Sequence, residues 1–506
     1  MKYIVTAGQM KTAEMKAVAK GIALSTLMEN SGVECYKKIG EIVGGVKDKT
    51  FVVLCGRGNN GGDGIVISNL LMANGAETLC IFTGDLPISE TARTIYAKYH
   101  ENLNIASYSH REDAVSKALL NCDVIIDCVY GSGFHGELDP KLSTLFKYID
   151  HNCRALKFSV DIPSGVDATE GTVSDGSFRA DFTLAPGAAK TGYFSLPAAI
   201  RCGSLILLDI GIPEDCYSSF TATITESEIL RFIPKRPLYS HKGHYGRLLN
   251  IAGSERYIGA ALLSAKAALR SGVGHITLAS PTEVCRSAAP AIPEAVFCSL
   301  IADDNGYISS ENIQNIAGEL LKATAVSIGP GIGNTSETAK LTEFVIKNAR
   351  CPIILDADGI NSIAGNINIL KGNDKLKILT PHPGELARLI GVSVDEVEQN
   401  RLKYASQCAR EWLSVIVLKG PNTVIATPDG RIGVNPTGNP GLAKAGSGDV
   451  LTGIIAALVA QGTSGYESAL LGTYLHGLAA EKISQNTALA GVLPGDIADY
   501  LPFVMQ

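Results

Sequence analysis

The sequence has few long apolar runs and no excess of positive charge, and each shortage excludes a class of protein. No apolar run approaches the ~20 residues of a membrane-spanning helix, and Gly453–Ala460 is among the longest. The formal net charge is −6, which argues against a surface built to bind nucleic acid. We therefore expect no membrane partner and no nucleic-acid partner.

Paired cysteine motifs are also missing, and we expect no secretory leader. The 12 cysteines include no C-x-x-C pair, and Cys55, Cys80, Cys128 and Cys351 lie in apolar, strand-like runs. The chain begins MKYIVTAGQMKTAEMK, without the sustained apolar segment of a secretory signal. We interpret the cysteines as buried free thiols and expect a cytoplasmic protein.

Glycine, in contrast, is abundant, with 53 among 506 residues, against a usual share of about 7%. The glycines have no collagen-like period, so they indicate tight turns or backbone that approaches a ligand closely. Backbone N–H groups bind phosphate without a basic side chain. An acidic chain can therefore still bind an anionic ligand.

Apolar runs that alternate with helical patterns predict an α/β fold. Runs without polar alternation are typical of strands buried on both faces of a parallel sheet. The predicted strands are Phe51–Leu54, Leu79–Phe82, Val124–Ile126, Phe158–Val160, Leu205–Leu208, Leu248–Ala252, His275–Ala279, Ala325–Ile328, Pro352–Leu355, Lys377–Leu379 and Val415–Leu418. A chain of this length exceeds one core, and a polar segment interrupts the pattern from about Pro213 to Tyr245. We predict two domains, 1–219 and 220–506, divided near Ser219.

The first half carries a glycine-rich loop after its first predicted strand, Cys55-Gly56-Arg57-Gly58-Asn59-Asn60-Gly61-Gly62-Asp63-Gly64. The loop satisfies G-x-G-x-x-G, a pattern whose amides hold a pyrophosphate at a helix N-terminus; a plain Asn-Gly turn is the alternative. Two later strands end at Asp127 and Asp161. Either Asp could simply cap a helix, whereas together with Asn60 they supply oxygen ligands for a cation.

These segments resemble the NAD(P)H-hydrate epimerase family, which shares the run Asn59–Gly64, Asp127, Gly131–Glu137, Asp161–Gly165 and, upstream, Met28–Gly32. The resemblance implies a Rossmann-like three-layer sandwich that interconverts the R and S forms of hydrated NADH and NADPH (NADHX and NADPHX). It implies potassium binding by Asn60, Asp127 and Ser164. The substrate positions that it implies are Asn59, Asn60, Gly61, Gly62, Asp63, Gly131, Ser132, Gly133, Phe134, His135, Gly136, Glu137 and Asp161. We hypothesise that the Asp161 carboxylate shuttles the proton during epimerisation.

In the second half, four predicted strands end in Gly, Pro and polar residues, at Gly329–Thr335, Asp356–Asn361, Thr380–Glu385 and Lys419–Thr423. Four such ends at one sheet edge favour a ligand crevice. The segment Gly438–Gly453 opens an apolar helix, and its glycines would expose the first amides of that helix as an anion hole. A simple helix cap by Ser447 or Asp449 is the alternative.

The run Gly446-Ser447-Gly448-Asp449 resembles the ribokinase-like superfamily, in which kinases usually carry Ala at the position of Ser447. Further matches, among them Gly253-Ser254 and His382–Glu385, point to its ADP/ATP-dependent NAD(P)H-hydrate dehydratases over about residues 225–500. The resemblance implies a ribokinase-like three-layer sandwich that uses Mg²⁺ with ADP, and Asp449 as the group that accepts the substrate's hydroxyl proton. Substrate positions carried over are Ala260, Gly333, His382 and Asp449, and nucleotide positions are Lys419, Gly420, Pro421, Asn422, Thr423, Gly446, Ser447 and Gly448. Lys444 departs from the family pattern and could contact phosphate or point to solvent.

The two resemblances together predict a repair enzyme that epimerises the hydrates and dehydrates the S form. Fusion of both activities resembles bacterial members of the family, which favours ADP over ATP as donor, with AMP and phosphate as products. Two alternatives remain: a small-molecule kinase, or a first domain that only binds a dinucleotide or a partner. We also expect a homo-oligomer.

Overall fold

The computed structural model describes residues 2–84, 86–108, 112–218, 220 and 222–506. The chain divides into two compact units, the first ending at Ala222 and the second beginning at Thr223. Ser219, near which the sequence predicts the domain boundary, lies outside the described residues.

Unit 1 is a mixed α/β structure built from short strands and longer helices. Its strands are β1 (Lys2–Val5), β2 (Thr50–Cys55), β3 (Glu77–Phe82), β4 (Ile105–Ser107), β5 (Val124–Cys128), β6 (Leu156–Val160), β7 (Phe182–Pro186), β8 (Ala189–Lys190) and β9 (Ser204–Leu208). Its helices are α1 (Ala7–Ala19), α2 (Leu24–Val43), α3 (Asn59–Ala73), α4 (Glu90–Tyr99), α5 (Glu112–Asn121), α6 (Pro140–Asn152) and α7 (Ala198–Cys202).

A seven-stranded parallel sheet forms the centre of unit 1, in the order β4-β3-β2-β5-β6-β7-β9. The five strands predicted for this half are confirmed as β2, β3, β5, β6 and β9. The strand order reverses between β2 and β5, the position at which open α/β sheets bind ligands beyond the carboxyl ends of their strands. The glycine-rich loop after β2 and the segment after β5 therefore meet at one place.

Alternate residues of β2 bury themselves against helices on the two faces of this sheet. Phe51, Val53 and Cys55 pack with residues of α2 and α3, whereas Val52 and Leu54 pack with residues of α5 and α6. Because both faces are covered, β2 is apolar from Phe51 to Cys55, as the run predicted at Phe51–Leu54 indicates. Unit 1 is thus a three-layer sandwich.

Unit 2 is also a mixed α/β structure. Its strands are β11 (Arg247–Ile251), β12 (His275–Pro281), β13 (Val296–Leu300), β14 (Ala325–Ile328), β15 (Ile353–Leu355), β16 (Lys377–Leu379), β17 (Val415–Leu418), β18 (Thr423–Ala426) and β19 (Ile432–Asn435), while β10 (Ala222–Ile224) spans the division between the units. Its helices are α8 (Ile258–Arg270), α9 (Thr282–Ala288), α10 (Ile313–Leu320), α11 (Ser336–Asn348), α12 (Ala357–Asn361), α13 (Pro383–Ile390), α14 (Val394–Gln399), α15 (Arg401–Trp412), α16 (Ser447–Ala460), α17 (Gly465–Ser484) and α18 (Pro494–Val504).

The sheet of unit 2 runs β13-β12-β11-β14-β15-β16-β17-β18-β19. Strands β11 to β17 are parallel, and the six strands predicted for this half are among them. The hairpin β18–β19 adds an antiparallel edge that the sequence reading did not predict. The carboxyl ends of β14 to β17, where polar motifs were predicted, lie side by side.

Helix α16 is the most deeply buried helix of unit 2 and packs closely against α8. Residues Val450 to Ala460 of α16 are all buried, together with Ala261, Ala265 and Ala268 of α8. Gly453 makes the close approach possible, because a Cβ atom there would lie 2.2 Å from the carbonyl oxygen of Ser264.

We expect Gly453→Ala to destabilise unit 2 by about 1–2 kcal/mol, because overpacking against backbone outweighs the gain in helix propensity. Trp412, the single tryptophan of the chain, is buried in unit 2, so its fluorescence in a denaturant titration reports this unfolding. Gly318→Ala in α10 is the matched control, since a Cβ there meets nothing within 4 Å. An unfolding midpoint of Gly453→Ala equal to that of the parent chain would contradict this packing.

The structure also bears on the predictions about the cysteines and about membrane-spanning helices. All 12 cysteines are free, and Cys55, Cys80, Cys128 and Cys351 are buried, which confirms the interpretation of buried thiols. Among the described residues, no helix is long and apolar enough to cross a membrane.

Candidate active sites

A cavity of about 910 Å³ opens in unit 1 at the switch point of its sheet. The predicted site residues that line it are Asn59, Asn60, Asp63, Gly131, Ser132, Gly133, Phe134, His135 and Asp161. They come from the loops after β2, β5 and β6, so three strand ends build one site. Other residues that line the cavity include Glu14, Arg57 and Lys190, for which the sequence reading predicted no role.

Glycines in the loop after β2 allow backbone segments to touch. A Cβ atom at Gly56 would lie 1.9 Å from the carbonyl oxygen of Val129, and one at Gly61 would lie 2.0 Å from that of Gly56. Helix α3 begins directly afterwards, at Asn59. The loop is therefore a strand-to-helix connection that only glycine permits, and its helix N-terminus opens at the cavity.

The Asp161 carboxylate is fixed through both of its oxygens. Oδ1 lies 2.6 Å from Nζ of Lys190, and Oδ2 accepts the N–H of Ser132 at 2.6 Å. Burial by itself raises the pKa of Asp161, but the Lys190 ammonium and the Ser132 amide outweigh burial and hold the pKa below its ordinary value. Asp161 is thus an ionised carboxylate at the cavity wall, and it does not cap a helix.

Two further carboxyl groups line the cavity with Asp161, and the pKa of each is raised, whereas that of Asp161 is lowered. Burial, with a smaller contribution from the charge of Asp161, raises the pKa of Asp63 to about 8. Burial and the Asp161 charge also raise the pKa of Glu14. Carboxyl groups whose environments push their pKa values apart can serve as proton donor and proton acceptor in one site.

Of the three residues predicted to hold potassium, Asn60 and Ser164 contact the backbone of Tyr130, and Asp127 binds Ser164. Asn60 Nδ2 donates to the carbonyls of Tyr130 (3.0 Å) and Val160 (3.2 Å). Ser164 Oγ accepts the N–H of Tyr130 at 2.8 Å and donates to Asp127 Oδ1 at 2.7 Å. Among the described residues, Asn60 Oδ1 is buried without a hydrogen-bond partner, as a cation ligand would be. The Asp127 oxygens, in contrast, already accept bonds from Ser164.

Four predicted substrate positions of unit 1 do not line the cavity. Gly61 and Gly62 are buried beneath it, where a Cβ at Gly62 would lie 2.3 Å from Sδ of Met28. Gly136 has a φ of +83°, and Glu137 accepts a hydrogen bond from Ser174 Oγ at 2.7 Å. The three glycines are adjacent in sequence to residues that line the cavity, and Glu137 follows Gly136.

In unit 2, the buried carboxylate of Asp356 ties four elements together at the carboxyl edge of the sheet. Oδ1 accepts Thr380 Oγ1 and Lys419 Nζ, each at 2.7 Å, and Oδ2 accepts Thr452 Oγ1 at 2.7 Å. Burial alone lowers the pKa of Lys419, but the charges of Asp356 and then Glu385 raise it above its ordinary value. The sequence reading noted Asp356 only as a strand end and assigned it no role.

The N-terminus of α16 lies directly over this cluster. Gly446, with a φ of +96°, is the N-cap residue and offers no side-chain cap, so the helix-cap alternative for Ser447 and Asp449 is not observed. A Cβ atom at Gly448 would lie 3.3 Å from Lys419 Nζ. The first amides of α16 and the Lys419 ammonium therefore lie close together, and both are groups that bind phosphate.

Asp449 lies in the first turn of α16, as predicted. Burial, followed by the charge of Asp356, raises its pKa to about 6. A carboxylate with such a pKa is a better proton acceptor than an ordinary aspartate and is still ionised at neutral pH.

The three other predicted substrate positions of unit 2 follow the same sheet edge. His382 caps α13: its Nδ1 accepts the N–H of Gly384 at 3.0 Å, and its Nε2 lies 3.5 Å from Oε1 of the buried Glu385, on a half-exposed ring. The N–H of Gly333 donates to Asp358 Oδ2 at 2.9 Å. Ala260 lies against the same loop, since a Cβ atom added at Gly331 would lie 2.8 Å from the Cβ atom of Ala260.

The predicted nucleotide segment, Lys419–Thr423, is the turn between β17 and β18. Gly420 and Asn422 have φ values of +140° and +53°. Arg401, which is almost fully buried, donates to the carbonyls of Leu418 (3.1 Å) and Lys419 (3.2 Å) and holds the turn from below. Arg401 begins α15 and shows no signal in the sequence that marks this role.

Two further side chains near α16 add to the sequence reading. Lys444 Nζ donates to the carbonyl of Ala490 at 2.6 Å, and its role in phosphate binding stays a prediction. Ser447, where kinases usually have Ala, lies 3.4 Å from Nε2 of the buried His476. Burial lowers the pKa of His476 to about 4, so its imidazole is neutral.

Family models match both units. Residues 248–503 match the model described as NAD(P)H-hydrate dehydratase, and residues 24–192 match the model described as the N-terminus of YjeF-related proteins. The first match alone spans half of the chain.

Curated relatives match along the whole chain. The bifunctional NAD(P)H-hydrate repair enzyme of Moorella thermoacetica is 35% identical over 517 residues, which cover 100% of this chain and 97% of the relative. The enzyme of the same name from Escherichia coli K12 is 34% identical over 466 residues, which cover 90% of this chain and 85% of the relative.

Solved structures match unit 2. A ribokinase-like superfamily protein from Enterococcus faecalis V583 is 28% identical, with a TM-score of 0.50, over 56% of this chain and 95% of that protein. The ADP/ATP-dependent NAD(P)H-hydrate dehydratase of Bacillus subtilis, co-crystallised with ATP and Mg²⁺, is 36% identical, with a TM-score of 0.49, over 55% of this chain and 96% of that protein. The ribokinase-like fold predicted for the second half is confirmed.

Proposed function

This chain belongs to the family of bifunctional NAD(P)H-hydrate repair enzymes, and on that premise we propose how its two units divide the repair. Unit 1 interconverts the R and S forms of hydrated NADH and NADPH in its cavity. Unit 2 dehydrates the S form beside the N-terminus of α16. The observation that carries this proposal is the pair of carboxylates, Asp161 and Asp449, each held at a ligand-binding sheet edge.

In unit 1, the ionised state of Asp161 favours one route for epimerisation. An ionised carboxylate accepts a proton, so Asp161 takes the proton of the substrate's hydroxyl group. A C=O bond then forms while the neighbouring C–N bond of the ring breaks, and the electron pair and the proton pass to the ring nitrogen. Rotation and closure on the other face reverse these steps and yield the other epimer, with no net change of atoms or electrons.

We propose that unit 1 holds K⁺ through Asn60, Asp127 and Ser164. The orphaned Oδ1 of Asn60 supports this assignment, since a buried amide oxygen without a donor is costly unless a cation or water satisfies it. The ion would supply fixed positive charge near the dinucleotide's phosphates. Rates of epimerisation in K⁺ and in K⁺-free buffer test the assignment, and equal rates would remove it.

In unit 2, Asp449 takes the proton of the S hydrate's hydroxyl while that oxygen attacks the terminal phosphoryl group of the nucleotide. The amides of Gly446 and Gly448 and the Lys419 ammonium stabilise the transferring group, whereas the Ser447 amide already donates to the carbonyl of Lys444 at 3.2 Å. The lone pair of the ring nitrogen then expels phosphate, and loss of a proton from the adjacent carbon restores the reduced nicotinamide. His382 and Gly333 lie at the same edge, where the substrate would contact them.

The phosphoryl donor that we propose is ADP, bound at Lys419–Thr423 and supplied with Mg²⁺. Among the described residues, no group of three or more His, Cys, Asp or Glu side chains could hold a metal ion. Mg²⁺ would be held mainly by the nucleotide's phosphates and would neutralise their charge. The preference for ADP rests on the resemblance of the fused chain to bacterial members of the family. A homo-oligomer and a cytoplasmic location stay predictions.

An assay with the S hydrate alone tests unit 2. Supplied with Mg²⁺ and either ADP or ATP, the chain should release free phosphate and reduced nicotinamide, with AMP as the nucleotide product of the preferred reaction. A stable phosphorylated product would instead identify a small-molecule kinase, and no recovery with either nucleotide would contradict the assignment.

The pKa of Asp449 predicts the acid limb of dehydration. Since Asp449 must be ionised to accept a proton and its pKa is about 6, kcat/KM for the S hydrate should fall about tenfold per pH unit below that value. The phosphates of ADP titrate in the same pH range, so Asp449→Asn serves as the control. The residual kcat/KM of this variant should not show the fall that protonation of the Asp449 carboxylate causes. An unaltered limb in that variant would assign it to the nucleotide.

A further inference from the structure

Lys190 is a buried lysine at the cavity of unit 1, and the sequence reading gave it no role. It ends β8, which pairs in parallel with β1, and its side chain is 1% exposed. Burying an ammonium costs several kcal/mol unless the protein supplies partners. Such a group is therefore kept in place by specific contacts.

The three N–H groups of the Lys190 ammonium are all used. Nζ lies 2.6 Å from Asp161 Oδ1 and donates to the carbonyls of Ala188 at 3.0 Å and Pro186 at 3.5 Å. Pro186 ends β7, and Ala188 lies in the turn that leads into β8. Lys190 is thus anchored to the backbone and offers its remaining proton to Asp161.

Asp161 has an unusual backbone and further contacts besides Lys190. Its φ is +69°, in the left-handed region that few residues other than glycine adopt. The hydroxyl of Tyr193 donates to its carbonyl, and the amide of Ser132 binds its second oxygen. The carboxylate is therefore held from one side by the predicted substrate loop and from the other by Lys190.

We propose that Lys190 is a positioning residue for epimerisation, which orients the Asp161 carboxylate toward the hydrated ring and keeps it from turning into the protein. This inference rests on the proposed function of unit 1. Lys190 forms and breaks no bond in the reaction. Its loss should therefore affect the rate of the bound substrate more than its binding.

Lys190→Met, which keeps the length of the side chain and removes its charge, tests the inference in the full chain. With the R hydrate as substrate, we expect kcat for epimerisation to fall about 100-fold, as a misplaced catalytic group does, while KM changes little. Lys190→Arg keeps the charge and should recover part of the rate. Dehydration of the S hydrate by unit 2 is the internal control and should be unchanged.

A double variant separates positioning from simple stabilisation. If Lys190 acts through Asp161, then Lys190→Met in the Asp161→Asn background should cause no further loss of kcat. An equal loss in both backgrounds, or a parent-like kcat in Lys190→Met alone, would overturn the inference. If Lys190→Met does not fold, Lys190→Gln replaces it, and the outcomes are interpreted in the same way.

The failure of this inference and that of the proposed function give different results. If Asp161→Asn epimerises normally, unit 1 does not use Asp161, and the proposed mechanism fails with the inference. If Asp161→Asn is inactive while folded Lys190→Met is fully active, only the role of Lys190 is refuted.

Discussion

Asp449→Asn should lose dehydration of the S hydrate by about 10²–10⁴-fold in kcat, the range that a general base contributes. The amide has the same shape as the carboxylate but cannot accept the hydroxyl proton. Release of reduced nicotinamide from the S hydrate with ADP and Mg²⁺ measures the loss. Folding should be unaffected, since Asp449 caps no helix and its carboxylate is destabilised by burial.

Epimerisation is the control for this variant. The cavity and the Asp161 carboxylate lie in unit 1, so Asp449→Asn should still equilibrate the R and S hydrates at the parent rate. Dehydration at the parent rate would remove Asp449 from the mechanism, and loss of both activities would indicate damage beyond the site.

Asp161→Asn should lower the rate of interconversion of the R and S hydrates by a similar factor, about 10²–10⁴. An amide at this position cannot take the hydroxyl proton, and it also loses the ion pair with Lys190. The rate at which pure R hydrate gives S hydrate, without nucleotide and against a protein-free control, measures the effect.

Removing Asp161 leaves the Lys190 ammonium buried without its counter-charge, which can itself be destabilising. A thermal unfolding comparison with the parent chain therefore accompanies the rate. Dehydration of the S hydrate in unit 2 should persist. A folded Asp161→Asn chain that interconverts the epimers at the parent rate would falsify the role of this carboxylate.

Local patterns in the sequence were sufficient to predict the strands of both sheets that are buried on two faces. Such strands are uninterrupted apolar runs, as in β2 and β17, and their polar residues follow at the carboxyl ends. β7 was missed because Thr183 interrupts its apolar run and the strand ends in Pro186. The hairpin β18–β19 was missed although Pro428-Asp429-Gly430 between its strands is a turn signal that could have revealed it.

The candidate sites were predicted where a motif is continuous in sequence. Asn59–Asp63 and Gly446–Asp449 are of this kind, because a helix N-terminus brings neighbours to one ligand. Lys190 and Arg401 were missed because each binds a partner far away in the sequence. Lys190 lies 29 residues after Asp161, and Arg401 lies 17 residues before Leu418. A lone basic residue of this kind has no pattern that marks it before the fold is known.

The central claim is that one chain performs two consecutive reactions, and the R hydrate supplied alone tests it most directly. With K⁺, Mg²⁺ and ADP, the R hydrate can yield reduced nicotinamide only if unit 1 first converts it to the S form. We expect complete recovery of reduced nicotinamide, well ahead of the Asp161→Asn chain, which retains unit 2, with one AMP formed for each molecule restored. Persistence of the R hydrate in a preparation that consumes the S hydrate would contradict the claim.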